Sequence, residues 1–348
     1  MASVFGCFRT RRSGVLEFNM RKIGLACTCL LLCVLTSCQD GPGSSLNPDS
    51  IPGEPSAFSI VESKAYAVQE HFLITNHGPG MPSKHNLWVA LIDDQPPYQE
   101  VLERSISADK YEIFSDEYGN QMAEFDLVGL PPGESLEVEI DYQVKVNRLA
   151  YDLSHCEGDL PPFFTQPEYH IESNNPQILA LSEDLSRGTK TACDRARAFY
   201  DYVGDHLVYT YNGRNWGAQA ALGEMGADCS EYTSLTIALN RAAGIPARYL
   251  EGVLYLDEPI NEMAKTEHAW LEVYLPGVGW TPVDPTLGRA LLFRNDYFAA
   301  YTPDHIIVTR GRNPSALRGG SYFSHIYWPG NSAVIKIEDF HWSLSPIQ

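Results

Sequence analysis

The hydrophobic period of this chain changes once, between Asp152 and Pro161, and that switch limits what it can fold into. From Ala57 to about Asp152, apolar residues come in short alternating or continuous runs, namely Ala65–Ile74, Leu87–Ile92, Met122–Leu127 and Leu136–Val146. Turn-forming stretches break them, among them Asn76-His77-Gly78-Pro79-Gly80, Glu117-Tyr118-Gly119-Asn120 and Pro131-Pro132-Gly133-Glu134. Side chains on a strand alternate between two faces, so a period of two with regular turns predicts a β-sandwich over residues 57–152. This stretch holds no triad, metal cluster or phosphate loop and reads as a structural or adhesive module. Beyond Pro161 the spacing becomes helical. Ile178–Leu185 and Thr191–Leu207 show it, the latter with Ala192, Ala196, Phe199, Tyr200 and Val203 on one face. A third helix, Cys229–Ala243, is stopped by Gly244 and Pro246. Strands follow at Ala247–Leu256, His268–Leu275 and Trp280–Asp284, the last two flanking a hairpin turn at Pro276-Gly277-Val278-Gly279. Helices followed by an antiparallel sheet make residues 160–348 an α+β domain.

A length of 348 residues accommodates two such domains. Lys+Arg 25 against Asp+Glu 44 gives a net charge of −19, which repels a polyanion and excludes nucleic acid as a partner. A hydrophobic fraction of 44% with 20% charged residues excludes disorder throughout. Of the eight cysteines, Cys7, Cys27, Cys29, Cys33 and Cys38 crowd the N-terminus, leaving Cys156, Cys193 and Cys229, so the chain is no disulfide-dense scaffold.

From Met20 the chain reads MRKIGLACTCLLLCVLTSC. Arg21 and Lys22 precede an apolar run, Ile23–Leu35, of signal-peptide length and short for a bilayer span. The run ends at Leu35-Thr36-Ser37-Cys38, which resembles the bacterial lipobox, where a Cys after a small residue is diacylated and becomes the mature N-terminus. Residues 1–38 are therefore expected to be a lipoprotein signal peptide, with 1–19 as an upstream extension, Cys38 as the lipid attachment point and 39–56 as a flexible tether. The alternative is an uncleaved anchor helix or a buried apolar segment. Cleavage would remove five basic residues and one acid, leaving a net charge of −23. Such a charge does not help adhesion to anionic lipid, so attachment falls to the acyl chains. The implied location is the cell envelope, on an exported, membrane-anchored protein.

Residues 226–249, GADCSEYTSLTIALNRAAGIPARY, place Asp228 as a helix cap and Cys229 in the first turn. The partial positive charge of a helix N-terminus favours thiolate over thiol, and its unpaired N–H groups can face a developing oxyanion. Residues 266–286, TEHAWLEVYLPGVGWTPVDPT, put His268 at the opening of one strand and Asp284 at the close of the next. A hairpin would bring them together as a base and its orienting carboxylate, with Cys229 as nucleophile. Taken singly, each has a plainer role: a small buried Cys, a structural His, a turn-forming Asp before proline.

Together, GADCSEYTSLTIALNRAAGIPAR, EHAWLEVYLPGVGW and VDPT resemble the transglutaminase-like superfamily, a branch of the papain-type cysteine enzymes, over residues 160–310. The resemblance implies a papain-like core in which Cys229 is the nucleophile, His268 the base and Asp284 its orienter, needing no cofactor or metal. Residues 57–150 resemble the β-rich domain that often precedes this core in bacterial members. The implied chemistry is attack on an amide of a protein or peptide, a thioester intermediate, and its resolution by an amine or by water. In the wider family a polar or Trp side chain upstream of the Cys helps hold the oxyanion, and Trp216 and Gln219 are both available. The alternative is a non-catalytic surface binding or scaffolding module that keeps the triad.

Other chemistries lack a motif: there is no HExxH, GxSxG or Walker-type loop, and no CxxC beyond Cys38. Ser107-Ala108-Asp109-Lys110 matches SxxK without its SDN and KTG companions. His305 and His325 read as structural, and Tyr322, Tyr327 and Trp328 as sheet core. Cys156 and Cys193 remain as an even pair and a candidate disulfide, which the chain-entropy model values at roughly 3–4 kcal/mol; two buried free thiols are the alternative.

Overall fold

A computed structural model describes residues 58–212, 217–223, 226–256, 266–312, 323–328 and 332–347. The expected signal peptide, tether and Cys38 lie outside the described residues, as do Trp216 and Tyr322. No helix among the described residues is long and apolar enough to cross a membrane.

The first half forms a β-sandwich. One sheet is built on the long antiparallel pair β1 (Phe58–Asn76) and β6 (Ser135–Tyr151). Strand β3 (Gln99–Ile106) lies on the other side of β6. The second sheet holds β2 (Lys84–Ala90), β4 (Glu112–Ser115) and β5 (Gln121–Asp126). Alternation places Tyr66, Val68, Phe72 and Ile74 of β1 in the core, where they meet Leu87, Val89 and Phe125 of the opposing sheet.

The second half is the expected α+β unit. Helices α1 (Pro176–Ser186), α2 (Ala192–His206), the short α3 (Ala218–Ala221) and α4 (Cys229–Ala242) come first. An antiparallel sheet follows, in which β7 (Ala247–Leu254) pairs with β8 (Glu267–Leu275) and β8 with β9 (Gly279–Val283). Helix α4 is buried along Glu231–Arg241, because it is enclosed by the other helices and the sheet. Ser234 and Thr236 donate back to carbonyls one turn earlier, Ser230 and Tyr232, while Thr233 donates to the Ala269 carbonyl at 3.0 Å, pinning the helix to β8.

The structure differs from the expected division at residue 160 in one respect: the chain does not stay in the second half. After β10 (Ala300–Tyr301) and β11 (His305–Arg310), which pairs with β7, it returns to the sandwich. There β12 (Phe323–Trp328) pairs with β2, and β13 (Ile335–Ile347) runs along β1 from Ala65 to Asn76. Residues 323–347 thus complete the first module, because β1 and β2 each have an open edge that takes a further strand. Tyr327 and Trp328 fall in β12, on the sandwich and not on the second sheet.

Two side chains of the sandwich grip the second sheet. The Gln99 amide donates to Ile307 O at 2.9 Å and accepts from Ile307 N at 2.8 Å, so it stands in for a neighbouring strand on β11. Tyr98 stacks on Tyr301 with ring centroids 3.9 Å apart, and its hydroxyl donates to the carbonyls of Thr302 and His305.

Candidate active site

The three residues singled out from sequence converge at one end of the α4–β8 packing. Cys229 is the first residue of α4, and the helix start is fixed by a reciprocal capping box. Asp228 Oδ1 accepts from Ser230 N at 3.0 Å, and Glu231 Oε2 accepts from Asp228 N at 3.0 Å. Cys229 is a free cysteine and is half-buried. His268 sits in β8 beside Cys229, near enough for the cysteine to raise its imidazole. The hairpin between β8 and β9 carries Asp284 back beside it, with His268 Nε2 2.8 Å from Asp284 Oδ2. Nε2 being taken up by Asp284, Nδ1 is the nitrogen placed to take the thiol proton.

Glycine is required next to this histidine. Gly252 is the β7 partner of His268, and a Cβ on it would stand 2.0 Å from the carbonyl oxygen of Ile306. Any side chain here would push β11 away from β7, and His305 with it.

Asp284 is fully buried and fully satisfied. Its Oδ1 accepts from Thr286 N at 2.9 Å and Leu287 N at 3.0 Å. Its Oδ2 receives His268 and also His305, whose Nε2 lies at 3.1 Å. The turn-forming contacts of an Asp before proline thus fall on Oδ1, and both imidazoles meet Oδ2. Burial alone would raise this carboxyl, but the two imidazoles hold it well below the usual carboxylate range. Burial likewise would lower His268; the Asp284 charge and hydrogen bond, with Cys229 beside the ring, override it and raise the imidazole to about 10. His305 goes the other way. Burial outweighs its bond to Asp284 and lowers it, so it is neutral at pH 7.

His305 was expected to be structural, and the structure makes it a positioning residue. Neutral, it donates from Nε2 to Asp284 and accepts at Nδ1 from Thr302 Oγ1 at 2.6 Å, while its backbone is held by Tyr98. Only contact order hides it, since His305 lies 21 residues from Asp284. Losing one charge-assisted bond of this kind, worth about 1.5–3 kcal/mol, bounds the effect of His305→Gln at roughly 10–100-fold on kcat. KM should hold, because His305 is not at the thiol. An unchanged kcat would show that Asp284 is positioned without it.

Of the oxyanion candidates, Gln219 lies exposed in α3, and its backbone N–H donates to Glu172 Oε2 at 3.1 Å. Cys156 and Cys193 are joined as a disulfide with Cα atoms 6.1 Å apart, tying the connector after β6 to the first turn of α2.

Residues 179–285 match the model of the transglutaminase-like superfamily, a span that contains Cys229, His268 and Asp284. The protein YebA of Bacillus subtilis, itself uncharacterised, is 24% identical over 216 residues. That alignment takes in 56% of this chain and 28% of YebA, so the chain spans under a third of that relative's length. Among solved structures, a protein from Cytophaga hutchinsonii provisionally named a cysteine protease shares the fold at a TM-score of 0.59 and 17% identity. The shared region covers 84% of this chain and 93% of that one, so the sandwich and the α+β core occur together in both.

Proposed function

We propose that the transglutaminase-like core of this chain is a cysteine enzyme that cleaves or transfers at amide bonds of proteins or peptides through a thioester on Cys229. The observation that carries this reading is the buried His268–Asp284 pair set beside Cys229, a free cysteine that is itself only half-buried. His268 takes the thiol proton at Nδ1 while Asp284 holds Nε2–H, and the resulting pair is a thiolate beside an imidazolium. The sulfur attacks the amide carbonyl, and N–H groups at the start of α4 face the oxyanion. His268 then returns its proton to the departing amine. Water or a second amine, deprotonated by the same imidazole, resolves the thioester and frees the sulfur.

The chain also carries the expectation of an exported lipoprotein anchored through Cys38. The disulfide fits this reading, since such bonds persist in oxidising compartments. The acidic surface favours basic or neutral substrates, because like charge slows encounter with acidic ones.

The test is to incubate the chain with a peptide library, quench in acid and map adducts by mass spectrometry. An acyl group on Cys229, absent in Cys229→Ala, is the expected result, and its mass names the donor. Adding an amine then separates transfer from hydrolysis. If no acyl adduct forms and iodoacetamide alkylates Cys229 no faster at pH 6 than a model thiol, the site is a scaffold and the proposal fails.

A further inference from the structure

A second cluster of ligating side chains stands on the outer face of the sandwich, far along the chain from the residues of the active site. His71 of β1 and His341 of β13 are directly opposed in the ladder, with ring centroids 4.8 Å apart. Asp339 reaches both, its Oδ2 lying 3.0 Å from His341 Nδ1 and 3.5 Å from His71 Nδ1. On the other side of the His71 ring, Nε2 is 3.1 Å from Glu137 Oε1 on β6. Odd-numbered positions of β1 point outward, so these groups share one face by strand alternation.

We propose that His71, His341 and Asp339 bind a divalent transition-metal ion of the zinc or copper class, clipping β13 to β1. The decisive feature is the convergence of three ligand atoms on one point. A carboxylate only accepts, so Nε2 of His71 carries a proton toward Glu137, and in the neutral ring the Nδ1 lone pair is left facing the Asp339 oxygen. Nδ1 is buried and makes no hydrogen bond with the described residues. With a neutral His71 the two acceptors repel, and either a second ring proton or a bound cation relieves the contact. The three ligand atoms lie within 4.8 Å of one another, and metal–ligand bonds of about 2.0–2.2 Å place tetrahedral ligands roughly 3.4 Å apart. His341 needs only to move its proton to Nε2 to become the second nitrogen ligand. Glu137 then plays the outer-shell part, fixing the tautomer and orientation of His71. Two imidazoles select borderline ions over Mg²⁺ or Ca²⁺, which want oxygen, and copper should bind tightest.

The site was invisible as a motif, because register across two strands assembles it: His71 and His341 are 270 positions apart. Its effect is mechanical, since β13 is the strand that brings the C-terminus back to the first sheet.

Titration of the purified chain with Zn²⁺ and Cu²⁺, after Cys229 is blocked with iodoacetamide, tests this by calorimetry and thermal unfolding, with Mg²⁺ as control. Expected are one saturable equivalent of each transition metal, a matching rise in Tm, and nitrogen hyperfine structure in the copper EPR spectrum. His71→Gln and His341→Gln should each remove the saturable phase, and Glu137→Gln should weaken it roughly 10–100-fold. Because His341 is half exposed, His341→Gln is the variant least able to disturb folding. Non-saturable uptake, an equal response to Mg²⁺, or full binding in the double variant H71Q/H341Q overturns the proposal. So does binding that survives there but is lost in His305→Gln, which would place the ion at the active site.

Discussion

Asp284→Asn should lower kcat by about 10⁴-fold, while Cys229→Ala or His268→Ala should lower it by about 10⁶-fold. The difference follows from what each change leaves behind. Without Cys229 there is no sulfur to acylate, and without His268 nothing takes or returns the proton. With asparagine at 284, the carbonyl can still accept from Thr286 and Leu287, but the amide then presents N–H to both histidines. His268 Nε2 must become an acceptor, which moves its proton to Nδ1, the atom meant to receive the thiol proton. The pH profile should change too. Burial lowers His268, and Asp284 is the largest cause raising it to about 10, so the imidazolium is retained until the pH passes that value. In the native chain the rate therefore falls as pH rises through about 10. In Asp284→Asn the fall should begin at lower pH, since desolvation is then opposed only by Cys229. The rate of acyl-adduct formation on Cys229 from amide peptides, followed against pH, reads this. Equal rates and equal profiles in native chain and variant would remove Asp284 from the mechanism.

The second large effect concerns the bond between Cys156 and Cys193. It closes a loop of 37 positions, for which the chain-entropy model predicts about 4 kcal/mol of stabilisation. The double variant Cys156→Ala/Cys193→Ala should lose about that much in a urea titration, with the m-value rising because the unfolded chain expands. The loss falls on the junction between β6 and α2, so the helices that carry Cys229 should be released before the sandwich. Chemistry supplies an independent count. Denatured without reductant, the chain with Cys38 diacylated should take one maleimide, on Cys229. Labels on Cys156, Cys193 and Cys229 together, or an unchanged urea midpoint, would dismiss the bridge.

Much of the active site was legible because its signals are local. Asp228 and Glu231 are three residues apart and write the capping box, which puts Cys229 at a helix start whatever surrounds it. His268 and Asp284 are joined by a tight turn, Pro276-Gly277-Val278-Gly279, so the β8–β9 hairpin brings them back beside each other. His305 was not legible. It comes on β11, after irregular chain, and its bond to Asp284 depends on how β11 registers on β7 and how Tyr98 holds the loop. The extent of the first module was misread for the same reason. Nothing in Ile335–Ile347 states that its partner is β1, some 260 residues earlier.

By itself, then, the sequence determined the fold class, the order sandwich before helices before antiparallel sheet, and the three residues Cys229, His268 and Asp284 that the structure brings together. These rest on periodicity, capping and turn chemistry, all of which act over a few residues and are therefore written in the local order of side chains. Only the tertiary structure decided which strands close the sandwich, that Asp284 is shared by two histidines, and that His71 and His341 face each other. Those depend on pairing register between strands that are not neighbours in sequence, and a shift of one residue would turn each of these side chains to the opposite face.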